Sequence, residues 1–224
     1  MKKRSILFVI IGIIIWAAGC KQTDEKFISE GQIEYDASVL DKNNSMATMA
    51  PNKMLVRFKG NKSCAEMSAG MGLFSTSFIS EQEKKSFTQL VKILNKKFLL
   101  TQDEESIRKE NERYALKLIP TNETKLIAGY TCKKMRVIPA DANIQPFDVY
   151  YTNDIDIQQP NFTNPFHEID GVLMEYQLKK FGLEMRFVAK KVRKEVVAEK
   201  CFQIPADYKK VSETEMRMIF DDLQ

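Results

Sequence analysis

From residue 31 onward, apolar and polar side chains alternate with period two in short runs separated by turn residues. That is the pattern of strands with one buried and one wet face. Residues 31–40 place Ile33, Tyr35 and Ala37 on one face. Met54, Val56 and Phe58 alternate with Arg57 and Lys59, Gly60-Asn61 turns the chain, and 62–69 returns as a partner strand. Gly70-Met71-Gly72 breaks the pattern, and Leu73 to Ile79 resumes it with Phe74 and Phe78 on one side. Residues 84–101 fit two templates, because Phe87, Leu90, Val91 and Leu94 also make a helical stripe. Residues 102–111 are polar and predict a short helix or a loop.

In the second half, 113–119 and 123–138 read as strands joined by Pro120-Thr121-Asn122, with a turn at Asp141-Ala142-Asn143. Phe147, Val149 and Tyr151 alternate, and 153–170 forms a long loop rich in Asn, Asp and Pro. Val172, Met174, Tyr176 and Leu178 form the next strand, followed by a Lys180-Phe181-Gly182 turn. Leu183, Met185, Phe187 and Ala189 form another, and 194–203 closes the series, with Pro205 ending it. Ser212 three places before Glu215 makes a capping box, and Met216, Ile219, Phe220 and Leu223 follow at helical spacing. The expected fold class is mainly β (α+β). It is a curved antiparallel sheet or half-barrel with a few short helices, formed by residues 30–224 as one domain.

The first residues follow another pattern. Lys2-Lys3-Arg4 precedes thirteen unbroken apolar residues, 6–18, and then Gly19-Cys20. A basic start, a short apolar run and small residues make a secretory signal, too short for a spanning helix of about 20 residues. Ala17-Ala18-Gly19-Cys20 resembles the lipobox of bacterial lipoproteins, with Ala17 where that motif prefers Leu, Val or Ile. The resemblance implies a signal peptide over 1–19, removed before Cys20, and lipidation of Cys20. Residues 20–29 then form a lipidated cysteine and a polar tether. Lys21, where Asp would signal inner-membrane retention, favours the outer membrane. Several acyl chains, at about 0.8 kcal/mol per buried methylene, anchor firmly where one would not.

Removing the 19-residue head from 224 leaves 205 residues, enough to bury roughly 70% of the chain's surface. Three of the four net positive charges lie in the head, so the remainder carries +1. That balance argues against nucleic acid as a partner.

The second half also carries a family pattern. Its pieces are Lys125-Leu-Ile-Ala-Gly-Tyr-Thr-Cys-Lys-Lys134, Val149-Tyr-Tyr-Thr-Asn-Asp154, Ile169-Asp-Gly-Val-Leu-Met-Glu175 and Phe202-Gln-Ile-Pro-Ala-Asp-Tyr208. In order and spacing they resemble a family of bacterial envelope proteins whose fold is similar to the lipoprotein carriers LolA and LolB. The resemblance covers about residues 113–210. It implies an antiparallel half-barrel wrapped over a few helices, with an apolar concave face.

Catalytic chemistry finds little support. His167 is the single histidine and sits in a Pro-containing loop, without the partners a triad or metal site needs. Cys64, Cys132 and Cys201 are too far apart for a zinc ribbon. In an oxidising compartment they allow one disulfide in any of three pairings, or buried free thiols. Carboxylate groups such as Asp103-Glu104-Glu105 and Asp154/Asp156 fall in polar stretches, and no phosphate loop is present. The methionines at 46, 49, 54, 67 and 71 suit an adaptable apolar surface or core filling.

The expected function is a non-enzymatic, lipid-anchored envelope protein that holds a lipid or acyl chain in a half-barrel, with no cofactor and no metal. Ile33, Tyr35, Val56, Phe58, Met174 and Met185 are the expected ligand-binding residues. The competing expectation is an interaction module with a filled core and an exposed patch for another envelope protein. A third is a hydrolase of a type the sequence does not mark.

Overall fold

Alternation along the chain becomes one continuous sheet. The computed structural model describes residues 27–41, 43, 47, 50–180 and 183–222, and the lipobox with Cys20 lies outside them. Six strands form a first meander: β1 (Glu30–Val39), β2 (Lys53–Lys59), β3 (Lys62–Ala69), β4 (Phe74–Glu81), β5 (Ser86–Ile93) and β6 (Lys96–Gln102). Helix α1 (Glu104–Arg113) then carries the chain across to the opposite edge. A second meander runs back through β7 (Leu116–Ile127), β8 (Tyr130–Pro139), β9 (Phe147–Thr152), β10 (Val172–Lys180) and β11 (Leu183–Lys194). Strand β11 pairs antiparallel with β1 and so joins the two meanders. After β11, the two-residue β12 (Lys209–Lys210) runs parallel to β6, and α2 (Glu213–Asp221) ends the described chain. The strand order is β12-β6-β5-β4-β3-β2-β1-β11-β10-β9-β8-β7.

Register places the apolar positions in rows. Ile33, Val56, Ala65, Phe78, Gln89 and Leu100 are successive cross-strand partners from β1 to β6. Tyr35, Met54, Met67, Thr76, Val91 and Phe98 form the adjacent row. Because side chains alternate between faces, both rows share the inner face of the sheet.

Three additional pieces complete the core. The 153–171 loop brings Phe166 and Ile169 onto Val137, Val149 and Leu173. Helix α2 lays Met216 and Phe220 on Val91 and Leu100, its start held by the reciprocal Ser212–Glu215 capping box. On the outer face, the segment after β11 covers Cys64, Ile79 and Leu90 with Val197 and Phe202. The rest of that face is wet and lined with ion pairs such as Arg193–Glu34 at 2.6 Å and Arg136–Asp148 at 2.9 Å.

The structure corrects several expectations. Residues 84–101 are two strands, with the reversal at Leu94 (φ 56°). Helical spacing there is coincidental, since pairing with β4 on one side decides the conformation. Pro120-Thr121-Asn122 is a bulge inside a continuous β7, and the hairpin reversal falls at Ala128-Gly129. Gly129 adopts φ 87°, which suits glycine. Residues 194–203 do not form a further strand beyond the end of β11 at Lys194. They carry a short 3-10 turn, Glu199–Phe202, that packs across the outer face. Pro205 therefore lies in a loop and terminates no strand. Gly31 has another constraint, for a Cβ there would lie 2.2 Å from the carbonyl oxygen of Arg193 on β11. The β1–β11 joint thus requires a residue without a side chain.

Candidate functional site: an apolar cavity on the inner face

Among the described residues, the inner face is covered at both ends but not in the middle. Between α2, the 153–171 loop and strands β1 to β5, β10 and β11 lies a half-open cavity of about 560 Å³. That volume is in the range of pockets for small organic ligands, roughly 300–1,000 Å³. Its walls are built by the two rows described above and by β10 and β11. Tyr176 stacks on Phe187 with centroids 5.0 Å apart and meets the edge of Tyr35 at 6.2 Å. Opposite, Phe78 stacks on Phe87 at 5.9 Å, while Phe74 meets Phe220 of α2. Leu73 and Leu94 line the cavity yet are exposed, which places an apolar rim at its edge. Among the described residues, none that lines the cavity is charged.

Of the six expected ligand-binding residues, four come together here: Ile33, Tyr35, Val56 and Met185 all line the cavity. Phe58 and Met174 do not, and the expectation for them is corrected. Phe58 shares the inner face but is packed in the cluster that holds Ile28 and Ile155 and lies outside the cavity lining. Met174 sits at a register shift between Leu173 and Glu175, where the strand departs from simple alternation. It is 0% exposed, and Leu173 takes the place on the wall.

Sequence reasoning missed Ala65, Phe78, Phe87 and Phe220 as lining, and it missed the only polar breaks in the two inner rows, Thr76 and Gln89. The available signal was a polar residue on the apolar parity of a strand. It was unreadable at Gln89 because 84–101 admitted a helix. Of the methionines at 46, 49, 54, 67 and 71, Met54 and Met67 line the cavity, Met71 is fully exposed, and Met46 and Met49 lie outside the described residues.

Polar groups near the wall are mostly paired. The Tyr35 hydroxyl donates to the Leu173 carbonyl at 2.8 Å, tying β1 to β10 across β11. Burial first, then the neighbouring Tyr176, holds the Tyr35 pKa well above its ordinary value. Burial likewise raises that of Tyr176. On the outer face, burial opposes ionisation of Glu175, but hydrogen bonds from Lys125 (2.6 Å) and Arg186 outweigh it and keep the carboxylate pKa lowered.

The three thiols are free. Cys64 and Cys201 belong to one cluster under the outer segment, and Cys132 to the main core. Burial pushes the Cys64 pKa from 9.0 to about 12 and that of Cys132 to about 11. Both are protonated at neutral pH and are poor nucleophiles there. His167 is exposed in its loop. Among the described residues, no group of three His, Cys, Asp or Glu side chains converges to hold a metal, and no helix is long and apolar enough to cross a membrane.

These raised values fix the sign of an alkaline effect. The unfolded thiols and phenols ionise from about pH 9 upward. The folded groups keep their protons until about pH 11–12 for the two thiols. Stabilisation from burying the neutral forms is therefore complete below pH 9 and is lost as pH rises through that window. Thermal unfolding followed from pH 7 to 12 is expected to show a falling Tm above about pH 9. A flat profile would contradict the burial of these groups.

A model of the family described as "N-glycanase peptide, N-terminal domain" matches residues 33–163. The chain belongs to this family. The matched part of this N-glycanase N-terminal-domain member runs from β1 through β9 and stops inside the 153–171 loop. The strands β10 and β11 that complete the cavity wall thus lie beyond the match. The match does not name the LolA/LolB-like family expected from the second half. Among solved structures, the chain is similar to the crystal structure of MucB, with a TM-score of 0.30 and 14% identity. The alignment covers 80% of this chain and 57% of that one. No protein of curated function matches the sequence.

Proposed function

We propose that the chain is a non-enzymatic binding protein of the bacterial envelope that holds an apolar ligand, a lipid or acyl chain, in the inner-face cavity. The observation that carries this reading is the uncharged cavity of about 560 Å³ left open on the inner face. A sheet that needed only stability would be covered there, because open apolar surface forfeits burial at about 25 cal/mol per Å². The exposed Leu73 and Leu94 at the rim provide an apolar path between a membrane or carrier and the interior.

The family's name concerns N-glycanases. Among the described residues, the lining holds no carboxylate and no histidine. Family membership is accordingly read as a shared scaffold, with ligand holding as its use in this chain. The lipobox-like head supports an anchor at Cys20 and an outer-membrane location. An anchored protein suits reception or sensing of a lipid better than shuttling it.

Every described strand, helix and core cluster lies within 27–222, so a chain starting at residue 20 with Cys20→Ser carries all of them. Native mass spectrometry of that protein, purified from bacterial cells, is expected to show a reproducible added mass that denaturation releases and that is a lipid. A clean apo mass after incubation with membrane lipids would overturn the reading and turn attention to a protein partner at the same rim.

A further inference from the structure

Some polar side chains of the cavity lining are paired, such as Ser63 with Ser80 at 2.6 Å and Asn161, which donates to the Ile169 carbonyl at 2.8 Å, but two buried ones are not. Gln89 is 1% exposed, and neither its Nε2 nor its Oε1 has a hydrogen-bond partner. Thr76 is 5% exposed, and its Oγ1 is also unpaired. These are the buried side-chain atoms left unsatisfied among the described residues. Both residues line the cavity. Their positions are related by register: Gln89 pairs with Phe78, and Thr76 lies two residues before Phe78 on β4, so the two are diagonal neighbours on one face. An unpaired buried amide or hydroxyl costs about 1–3 kcal/mol, and isosteric apolar replacements are often neutral or stabilising. Two such groups side by side, among Ala65, Met67, Phe78 and Val91 of the two inner rows, are features of a binding site and not of a core.

We propose that Gln89 and Thr76 form a polar clamp for an uncharged head or mid-chain group of the ligand, so that the cavity selects neutral acyl amphiphiles over both plain hydrocarbons and fatty acid anions. This rests on the reading of the cavity as a ligand site. The Gln89 amide offers a donor and an acceptor side by side, and Thr76 adds a hydroxyl that does either. Their complement is a group that itself both accepts and donates, such as a carboxamide or an ester carbonyl beside a hydroxyl. A carboxylate only accepts. It would also bring a charge into a lining without any cation, at a large desolvation cost.

The test uses the Cys20→Ser chain starting at residue 20, loaded with the neutral dye N-phenyl-1-naphthylamine and titrated at neutral pH with lauramide, laurate or dodecane. Equal chain lengths isolate the head group. Lauramide is expected to displace the dye about tenfold more tightly than dodecane and laurate, the worth of one good hydrogen bond. In Gln89→Leu, lauramide is expected to fall to the level of dodecane, while dodecane keeps or gains affinity and the Tm rises or stays. Thr76→Val is expected to give a smaller loss in the same direction. Equal affinity of lauramide and dodecane in the unmutated chain overturns the clamp and leaves the cavity reading standing. It would mean that water satisfies these atoms. Failure of the chain to take up the dye or any of the three probes overturns the cavity reading and the clamp together. Should Gln89→Leu not fold, the three-probe comparison on the unmutated chain decides alone.

Discussion

Phe58→Ala is expected to destabilise the fold by about 3–5 kcal/mol, the range for truncating a fully buried aromatic. For a domain of this size that corresponds to a fall in Tm of roughly 6–20 °C. Phe58 is 0% exposed and lies at the point where several distant segments converge. Its cluster includes Ile28, which bridges to Ile155 of the long loop, and Cys132 of β8. Gly31, its cross-strand neighbour on β1, offers no side chain to move into the space, so the hole cannot collapse from that side. The loss should be read by urea or thermal unfolding. A change below about 1 kcal/mol would show that the closed end of the sheet is looser than the packing here implies. Ligand binding is expected to persist in the folded fraction, because Phe58 does not face the cavity.

Ala65→Trp is expected to abolish ligand uptake with little change in stability. Ala65 stands in the inner row between Val56 and Phe78, all three on the cavity wall. An indole there projects into open volume instead of packed atoms, so the usual overpacking penalty of about 1–3 kcal/mol is avoided. It occupies space that an acyl chain would need. The matching control is Glu66→Trp, one residue further on β3. Period-two geometry turns that side chain to the outer face, where Glu66 pairs with Arg57. Native mass spectrometry should show the added mass lost in Ala65→Trp and retained in Glu66→Trp. Retention in both would place the ligand elsewhere, and loss in both would point to a global effect.

How far these features were legible differs from element to element. Strands β1, β2, β9 and β11 follow from alternation alone, because a sheet with one dry face imposes period two on its sequence. The capping box at Ser212 is local chemistry and likewise reads directly. Four of the six expected residues line the cavity because they occupy the apolar parity of clear strands. Phe58 and Met174 were misassigned because parity tells which face a side chain takes, not what lies above it. Above Phe58 are residues far off in sequence, and at Met174 a bulge resets the count. The role of 194–203 was hidden for a similar reason. An extended apolar segment reads as a strand whether it joins a sheet edge or, as here, lies across the face and covers Cys64 and Ile79.

By itself, then, the sequence determined the local matters: the β-rich class, most strand positions, the face each apolar side chain takes and the start of α2. These depend on residues within a few positions of one another. Only the tertiary structure decided that β11 joins β1, that α1 carries the chain to the far edge and that α2 and the long loop leave the middle of the inner face open. It also decided that Gln89 and Thr76 are left unpaired side by side on that open wall. The joining of the two meanders through β1 and β11 and the placing of α2 over β5 and β6 are set by contacts between segments a hundred or more residues apart. Alternation is the same for every order of strands, so it carries no information about which one forms.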